Sequence, residues 1–201
     1  MGRLSLADLA ADPLQQFRTW WEAAQKADLE EPTAMTLATA ADDGTPSARV
    51  VLLKGFDETG FTFFTNYESR KARDLEANPR AALLFWWPPL GRQVRIEGKV
   101  EKTSAEESDA YFATRPRGSQ LGAHASPQSR PLKGQGELLS KVARVTARYV
   151  GREVPRPEGW GGYRLSPARW EFWQQGRFRL HDRFEYLPAT PTGWERRRLA
   201  P

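Results

Sequence analysis

Residues 47–65 read SARVVLLKGFDETGFTFFT, and this stretch decides the fold class. Two segments rich in β-branched and aromatic residues, 47–54 and 61–65, are separated by the turn-forming sequence DETG at 57–60. Short connections of this kind join antiparallel strands. Residues 49–54, RVVLLK, are apolar at every position between two cations, which predicts a strand buried on both faces. The stretch therefore predicts antiparallel β-structure.

The same signals continue on both sides of this stretch. Strands are predicted at residues 34–40, 80–87 and 92–101, and near 160–166, 169–174, 179–187 and 194–199. Helices are predicted at residues 13–27, within 66–79, from the capping box at 104–107 towards 112, and near 118–124 and 135–149. Many strands, short turns and a few peripheral helices predict a mainly β, α+β fold built on an antiparallel barrel. We expect one domain over residues 13–201, preceded by a flexible tail at 1–12.

The composition limits the possible functions. The 201 residues contain no cysteine, which excludes disulfides, iron–sulfur clusters and thiolate zinc sites and fits a reducing compartment. The two histidines, His124 and His181, are too far apart in sequence to suggest a preformed metal site. No apolar run reaches membrane-spanning length and the start lacks a signal-peptide core, so we expect a cytoplasmic protein. The net charge of +5 favours anionic partners, either small phosphorylated ligands or nucleic acid.

A row of charged residues near the C-terminus forms the first candidate site. If the pentad 179–183, RLHDR, is a strand, then Arg179, His181 and Arg183 share one face. Two guanidinium groups beside an imidazole repel one another unless an anion binds there, and arginine suits phosphate or carboxylate. The alternative is a solvated edge strand whose charges oppose aggregation. The pentad alone does not decide between the two.

A second group of cations lies at the start of a predicted helix. If Ser69 caps this helix, Arg70 and Lys71 fall in its first turn, where the helix dipole disfavours positive charge by about 0.3–1 kcal/mol. With backbone amides and a hydroxyl beside them, the two cations resemble a phosphate cradle. Surface charge that the helix tolerates is the alternative, and both interpretations stay open.

Tyr111, Arg115 and Ser119 recur at intervals of four residues. A phenol, a guanidinium and a hydroxyl would suit a second phosphate, although Pro116 prevents one continuous helix from presenting all three. The alternative is a helix end with a buried tyrosine and a surface arginine. The amide of Gln93 can donate and accept at once, which suits the edge of a heteroaromatic ring.

Further hydrogen-bonding and stacking groups come from Gln128, Ser129 and Trp173. The sequence contains no nucleophile elbow, no phosphate-binding loop of the nucleotide hydrolases and no dinucleotide-binding glycine fingerprint. The side chains offer no redox chemistry of their own. An enzyme built this way would need an organic cofactor to carry electrons.

Several short runs, taken in chain order, resemble those of a known family. They are residues 49–54 (RVVLLK), 63–71 (FFTNYESRK), 92–98 (RQVRIEG), 111–112 before Arg115, 119–123, 128–129, 160–162, 171–173, 179–183 and 198–201. Together they resemble the pyridoxamine/pyridoxine 5′-phosphate oxidase family over nearly the whole chain, from about Leu14 to Pro201. Each run alone is weak, whereas their number, order and spacing are highly specific.

The resemblance implies a split β-barrel that binds flavin mononucleotide (FMN) and acts as a homodimer, with two cofactor sites at the subunit interface. The family's cofactor contacts correspond here to Arg49, Lys54, Phe64, Thr65, Arg70, Lys71, Gln93, Gln128, Ser129, Trp173 and Arg183. Its substrate contacts correspond to Lys54, Tyr111, Arg115, Ser119, Arg179 and His181, of which Arg179 and His181 are the catalytic candidates. Phe64 stands where a tyrosine is common in relatives, and we expect no loss because the contact there is through the backbone.

The resemblance also implies a reaction. Pyridoxamine or pyridoxine 5′-phosphate would be oxidised to pyridoxal 5′-phosphate, with molecular oxygen as electron acceptor and hydrogen peroxide as product. Arg179 and His181 would aim the reacting carbon at the flavin, and whether His181 is a base or only positions the substrate stays open.

Three alternatives compete with this interpretation. A phenazine-pathway FMN oxidase shares the barrel, but Lys54, Tyr111 and Arg115 argue against it because a phenazine precursor lacks the phosphate that they suit. A non-catalytic flavin or haem carrier would need no second phosphate site. A nucleic-acid binder would fit the basic balance, but the cations are scattered along the chain.

Overall fold

Nine antiparallel strands form one curled sheet within the residues that the structure, a computed structural model, describes; these are 3–189 and 191–201. The strands are β1 Ala34–Ala40, β2 Pro46–Leu52, β3 Gly55–Asp57, β4 Gly60–Asn66, β5 Arg80–Trp87, β6 Arg92–Lys102, β7 Trp160–Gln174, β8 Asp182–Pro188 and β9 Trp194–Leu199. The α-helices are α1 Pro13–Lys26, α2 Arg70–Ala77, α3 Ala105–Thr114, α4 Arg117–Ala125 and α5 Gln135–Arg148. The predicted mainly β split-barrel fold is confirmed.

Strand β7 organises the sheet, whose order is β2-β1-β5-β6-β7-β4-β3. It is 15 residues long, so it pairs with β6 along its length, with β4 through its first part and with β8 through its last part. Strand β9 then pairs with β8. The register of β6 and β7 shifts between Glu97 and Gly98. A Cβ at Gly98 would lie 2.0 Å from the Ser166 carbonyl oxygen, so this irregular crossing requires glycine.

Helix α1 covers the core of the half-barrel. Its N-cap Asp12 accepts a hydrogen bond from the Gln15 amide at 2.9 Å. Phe17 on this helix is fully buried, and its ring meets those of Phe56 and Phe61 edge-on, each at 4.9 Å between centroids. The aromatic cluster thus joins α1 to the β3–β4 hairpin, as the predicted helical spacing of apolar residues requires.

The N-terminal segment requires a correction. We expected a flexible tail over residues 1–12, of which 1 and 2 lie outside the described residues. Leu4 and Leu9 are buried, and the Leu4 amide donates to the Asp182 carboxylate at 2.9 Å. Arg196 donates to the Leu9 carbonyl at 2.8 Å. From Leu4 onward the segment is packed on β8 and β9, because two isolated leucines, too few to form a periodic pattern, find a hydrophobic surface there.

Three strand predictions are wrong for reasons of topology. Residues 49–54 are not buried on both faces within one chain. Strand β2 is an edge strand of the sheet, and 66% of Val50 is exposed. The hairpin expected to join 47–54 to 61–65 forms instead between the short β3 and β4. The strands predicted separately at 160–166 and 169–174 are one strand, β7.

The helices agree more closely with the sequence. Each predicted helix has a counterpart whose ends lie within a few residues of the prediction. The Ser104 hydroxyl accepts from the Glu107 amide at 3.0 Å, as expected for the cap of α3. Within residues 3–189 and 191–201, no helix is both long and apolar enough to cross a membrane.

Candidate active site

A cavity of about 1010 Å³ lies between β2, β4 and the helices α2, α3 and α4. It is lined by eleven of the predicted site residues: Arg49, Lys54, Phe64, Thr65, Arg70, Lys71, Tyr111, Arg115, Ser119, Gln128 and Ser129. The fold therefore brings both predicted phosphate-binding groups, which are about forty residues apart in sequence, to one cavity.

The cavity is strongly cationic. Five of its lining residues are Arg49, Lys54, Arg70, Lys71 and Arg115, whereas none of the described residues that line it is Asp or Glu. Cations gathered on low-dielectric walls repel one another and concentrate a positive potential. Such a cavity is suited to an anionic ligand that offsets this repulsion.

Lys71 is the most enclosed of these cations. Only 8% of it is exposed, and its Nζ lies 3.0 Å from Thr65 Oγ1, 3.2 Å from Ser69 Oγ and 3.1 Å from Gln128 Oε1. Burial, together with the nearby Arg49, lowers the pKa of Lys71 to about 8. Ser69 is the N-cap residue of α2, and its hydroxyl contacts Lys71 rather than capping the helix. Arg70 and Lys71 lie at the start of α2, where they were predicted, and the phosphate-cradle interpretation of this helix start stays a prediction.

Arg49 is held in place from the outer side of the cavity. Its Nη1 donates to Thr39 Oγ1 at 2.8 Å, and its Nη2 donates to Ser47 Oγ at 2.7 Å and lies 3.6 Å from Asp74 Oδ2. Asp74 is buried on α2 and also accepts from Thr39 at 2.7 Å. Burial lowers the pKa of Arg49, and Asp74 opposes that effect. The guanidinium is thereby oriented before any ligand binds.

Arg115 lies over an aromatic platform. Its Cζ is 4.6 Å from the Trp160 ring centroid, and its Nη1 is buried without a hydrogen-bond partner among the described residues. Burial lowers the pKa of this guanidinium. The rings of Phe64 and Tyr111 stack at 4.0 Å, with Trp160 parallel to Phe64 at 5.5 Å. An unpaired, desolvated guanidinium is costly, so Nη1 is a donor available to an anion.

The remaining five predicted residues do not line this cavity. They are Gln93, Trp173, Arg179, His181 and Arg183, and they form a second group, which we call the β7–β8 group. Gln93 is the register partner of Trp173, whose ring lies 4.4 Å from that of His181. Arg183 donates to Glu171 at 2.8 Å, a bond that raises the pKa of the arginine. Within one chain, the catalytic candidates are therefore separate from the cationic cavity.

The pentad is not the strand that we predicted. Arg177–Arg179 forms a short 3₁₀-helix, and β8 begins only at Asp182, so the expected alternation does not hold. Arg179 has a φ of 61°, in the left-handed region that strand residues do not adopt. Asp182 is buried and pairs with Arg198. The break arises because Gly176 allows a tight turn before the strand starts.

Comparison with family models gives two matches that together cover most of the chain. Residues 21–149 match the model described as pyridoxamine 5′-phosphate oxidase. Residues 160–201 match the model described as the pyridoxine 5′-phosphate oxidase C-terminal dimerisation region. The chain belongs to the pyridoxamine 5′-phosphate oxidase family.

Relatives in this family are similar along their whole length. The pyridoxine/pyridoxamine 5′-phosphate oxidase of Rubrobacter xylanophilus is 60% identical, over 99% of this chain and 92% of its own. The protein of the same name from Salinibacter ruber is 57% identical, over 98% and 93%. Among solved structures, PhzG from Burkholderia lata, in complex with tetrahydrophenazine-1-carboxylic acid, has a TM-score of 0.90 at 33% identity, over 97% and 95%.

The β7–β8 group lies largely inside the dimerisation match. Trp173, Arg179, His181 and Arg183 all fall within residues 160–201, the family's dimerisation region. The residues that lie away from the cavity within one chain thus belong mostly to the part that matches a dimerisation model.

Some residues of the site were not predicted. Asp74 and Thr39 orient Arg49, and Trp160 supports Arg115, but none of the three was named as a site residue. Trp160 was visible as part of the run at 160–162. Asp74 gave no signal, because an acidic residue inside a charged helix resembles any solvated helix face.

Proposed function

We propose that this protein is an FMN-dependent oxidase that converts pyridoxamine 5′-phosphate and pyridoxine 5′-phosphate to pyridoxal 5′-phosphate. The amine, oxygen and water would give the aldehyde, ammonia and hydrogen peroxide; the alcohol and oxygen would give the aldehyde and hydrogen peroxide. The observation that carries the proposal is the cavity with five cations and no carboxylate among its described lining residues. Relatives 57–60% identical that bear this activity in their names support the substrate class.

The cations of the cavity suit the phosphate of FMN. Lys71, with its lowered pKa, and the pre-oriented Arg49 would bind the cofactor phosphate together with Arg70 and Ser129. The cavity volume of about 1010 Å³ is at the upper end of the roughly 300–1,000 Å³ typical of ligand sites, which leaves room for cofactor and substrate together. Bound FMN would supply the electron acceptor that the side chains lack.

A second anion subsite is proposed at Arg115. The unpaired Nη1 of Arg115 would donate to the substrate phosphate, and Tyr111, Ser119 and Lys54 line the same cavity and would complete the set. Binding the phosphate at a distance from the reacting carbon holds that carbon in place, so the phosphate contributes to orientation as well as affinity.

The β7–β8 group is proposed to complete the site from the partner subunit of a homodimer. Its placement in the dimerisation region supports this assignment. Val50 and Trp86 support it as well, because a single chain leaves 66% and 45% of these apolar side chains exposed. Arg179 and His181 of one chain would then orient the substrate ring in the cavity of the other, while Gln93, Trp173 and Arg183 would contact the cofactor.

Turnover by the purified protein tests the proposal. We expect a visible flavin spectrum, and equal amounts of aldehyde and peroxide from pyridoxamine 5′-phosphate or pyridoxine 5′-phosphate under air. Pyridoxamine without the phosphate should have a kcat/KM at least 100-fold lower, since it loses the charge-assisted bonds to Arg115, worth roughly 3 kcal/mol. Flavin-bearing protein that produces no peroxide from either phosphate ester would contradict the proposal and favour a flavin carrier.

One rival function has a specific observation in its favour. The backbone agrees closely with that of PhzG, which was solved with a phenazine-type carboxylic acid. The buried, unpaired Nη1 of Arg115 would donate to a phosphate or to a carboxylate, so substrate turnover has to distinguish the two functions. Turnover of a dihydrophenazine carboxylic acid at a rate matching or exceeding that of pyridoxamine 5′-phosphate would establish the rival.

A further inference from the structure

The imidazole of His181 is held by a backbone amide. The Gly176 N–H donates to His181 Nδ1 at 3.2 Å, and the ring lies against Trp173, with 4.4 Å between centroids. The contact is local, since only five residues separate donor and acceptor. It therefore belongs to the turn that carries the pentad and does not depend on a bound ligand.

This hydrogen bond distinguishes the two tautomers of the neutral ring. A backbone N–H can only donate, so Nδ1 must offer its lone pair. The proton of the neutral ring then sits on Nε2. A doubly protonated ring would direct an N–H at the Gly176 N–H and lose the bond. The Gly176 amide thus favours the Nε2–H tautomer over the Nδ1–H tautomer.

The turn is built so that this amide faces the ring. A Cβ at Gly176 would lie 1.9 Å from the Leu180 carbonyl oxygen, so no other residue fits without moving the backbone. Phe178 and Arg179 follow with φ values of 55° and 61°, a conformation that non-glycine residues adopt rarely. Upstream, the Gln175 amide donates to the Gly91 carbonyl at 2.8 Å and anchors the turn to the sheet.

We infer that His181 acts as a hydrogen-bond donor through Nε2, and that Gly176 is the positioning residue that sets this tautomer of the ring. The nitrogen with a lone pair is occupied by Gly176, and the other already carries a proton, so the ring has no free site to accept a proton as a general base. The acceptor would be an oxygen of the bound substrate, such as a ring hydroxyl or phenolate. This last step rests on the proposed function.

Nuclear magnetic resonance tests the tautomer without substrate. The chain has two histidines, so the ring ¹⁵N signals of the holoprotein are assigned by comparison with a His124→Gln variant. His124 also provides an internal reference, because its Nε2 lies 2.7 Å from the Pro155 carbonyl oxygen and must carry a proton to bond with it. At a pH where the ring is neutral, we expect His181 to show the Nε2–H pattern. A neutral ring with its proton on Nδ1 would overturn the inference.

Kinetics of two nearly isosteric variants test the role in turnover. His181→Gln supplies a neutral N–H donor and should stay within about tenfold of wild-type kcat, whereas His181→Glu supplies a base without a donor and should be slower than the glutamine variant by about tenfold or more. The reverse order would show that the position needs a base. If the wild-type protein oxidises neither phosphate ester, the proposed function is wrong, whereas the tautomer measured by nuclear magnetic resonance is unaffected.

Glycine variants test the positioning role. Gly176→Ala should shift the His181 ring signals and lower kcat by about tenfold or more, with flavin content unchanged, because displacing the turn removes the amide. Gly136→Ala is the matched control, since a Cβ there meets nothing within 4 Å. Unchanged His181 signals and kcat in the Gly176→Ala protein would refute the role of the amide.

Discussion

Lys71→Met is the substitution whose effect on cofactor binding follows most directly from the structure. In the ligand-free protein the pKa of Lys71 is lowered from 10.5 to about 8, first by burial and then by Arg49. A bound phosphate dianion restores the charged form, so binding takes up a proton when the pH lies above about 8. The affinity for FMN should therefore fall as the pH rises through this value, and the methionine variant should lack that dependence.

The magnitude follows from the same pKa. If binding returns the pKa of Lys71 to its ordinary value, FMN affinity falls about tenfold between about pH 7 and pH 9, since each pKa unit is worth about 1.4 kcal/mol. The phosphate stays doubly charged over this range, because its second pKa is about 6. At pH 7 the variant loses charge-assisted bonds worth about 1.5–3 kcal/mol, which is roughly a 10- to 150-fold loss of affinity. The same linkage makes the ligand-free wild-type protein more stable as pH rises from about 8 towards 10.5, because the unfolded chain then binds the extra proton.

Quenching of flavin fluorescence on titrating FMN with apoprotein measures the affinity at each pH. Wild-type protein should show the tenfold decline, and Lys71→Met should bind weakly with the same affinity at pH 7 and 9. The exposed Lys26 provides a control, and Lys26→Met should behave as wild type. A decline of equal size in the Lys71→Met protein would show that another group titrates and would refute the reasoning.

Three further predictions concern the substrate subsite, the dimer and the core. Arg115→Lys loses the planar guanidinium and its stacking on Trp160. The kcat/KM for pyridoxamine 5′-phosphate should therefore drop about 10- to 100-fold, at unchanged flavin content. An equal loss of flavin would show that Arg115 binds the cofactor instead of the substrate. Mixing equal amounts of Arg115→Ala and His181→Ala chains, each inactive alone, should restore about a quarter of wild-type activity, because half of the dimers then contain one intact site of two. No recovery after verified subunit exchange would place both residues in a site made by one chain. Phe17→Ala should lower the free energy of unfolding by about 3–5 kcal/mol in urea titrations, and a loss below 1 kcal/mol would contradict the packing of α1 on the sheet.

The sequence predicted the fold where local signals and packing agree. The β-rich run 47–65 and the turn at 57–60 gave the correct fold class, and the helix predicted from residue 13 begins at Pro13 as α1. The prediction that β2 is buried on both faces was wrong for a single chain. An apolar sequence does not reveal whether the second face of a strand is covered by the same chain or by another chain. Only the strand order, with β2 at its end, and the exposure of Val50 distinguish these cases.

Some residues of the candidate site were likewise identified from the sequence, and others were not. Arg70 and Lys71 were identified because cations in the first turn of a helix conflict with its dipole, a conflict that is visible in the sequence. The support given by Asp74 and Trp160 depends on contacts between distant segments, which no local pattern records. The pentad was misread as a strand because charge alternation indicates β-structure, whereas the Gly176 turn imposes positive φ values on Phe178 and Arg179.

The central claim is that this cavity holds a flavin that accepts electrons from a phosphorylated amine. The most direct measurement is the visible flavin spectrum of the purified protein when pyridoxamine 5′-phosphate is added without oxygen. We expect the flavin band to bleach, and admitting air to restore it with one equivalent of hydrogen peroxide. A flavin band that stays unchanged on adding the phosphorylated amine, or a protein that binds no flavin, would contradict it.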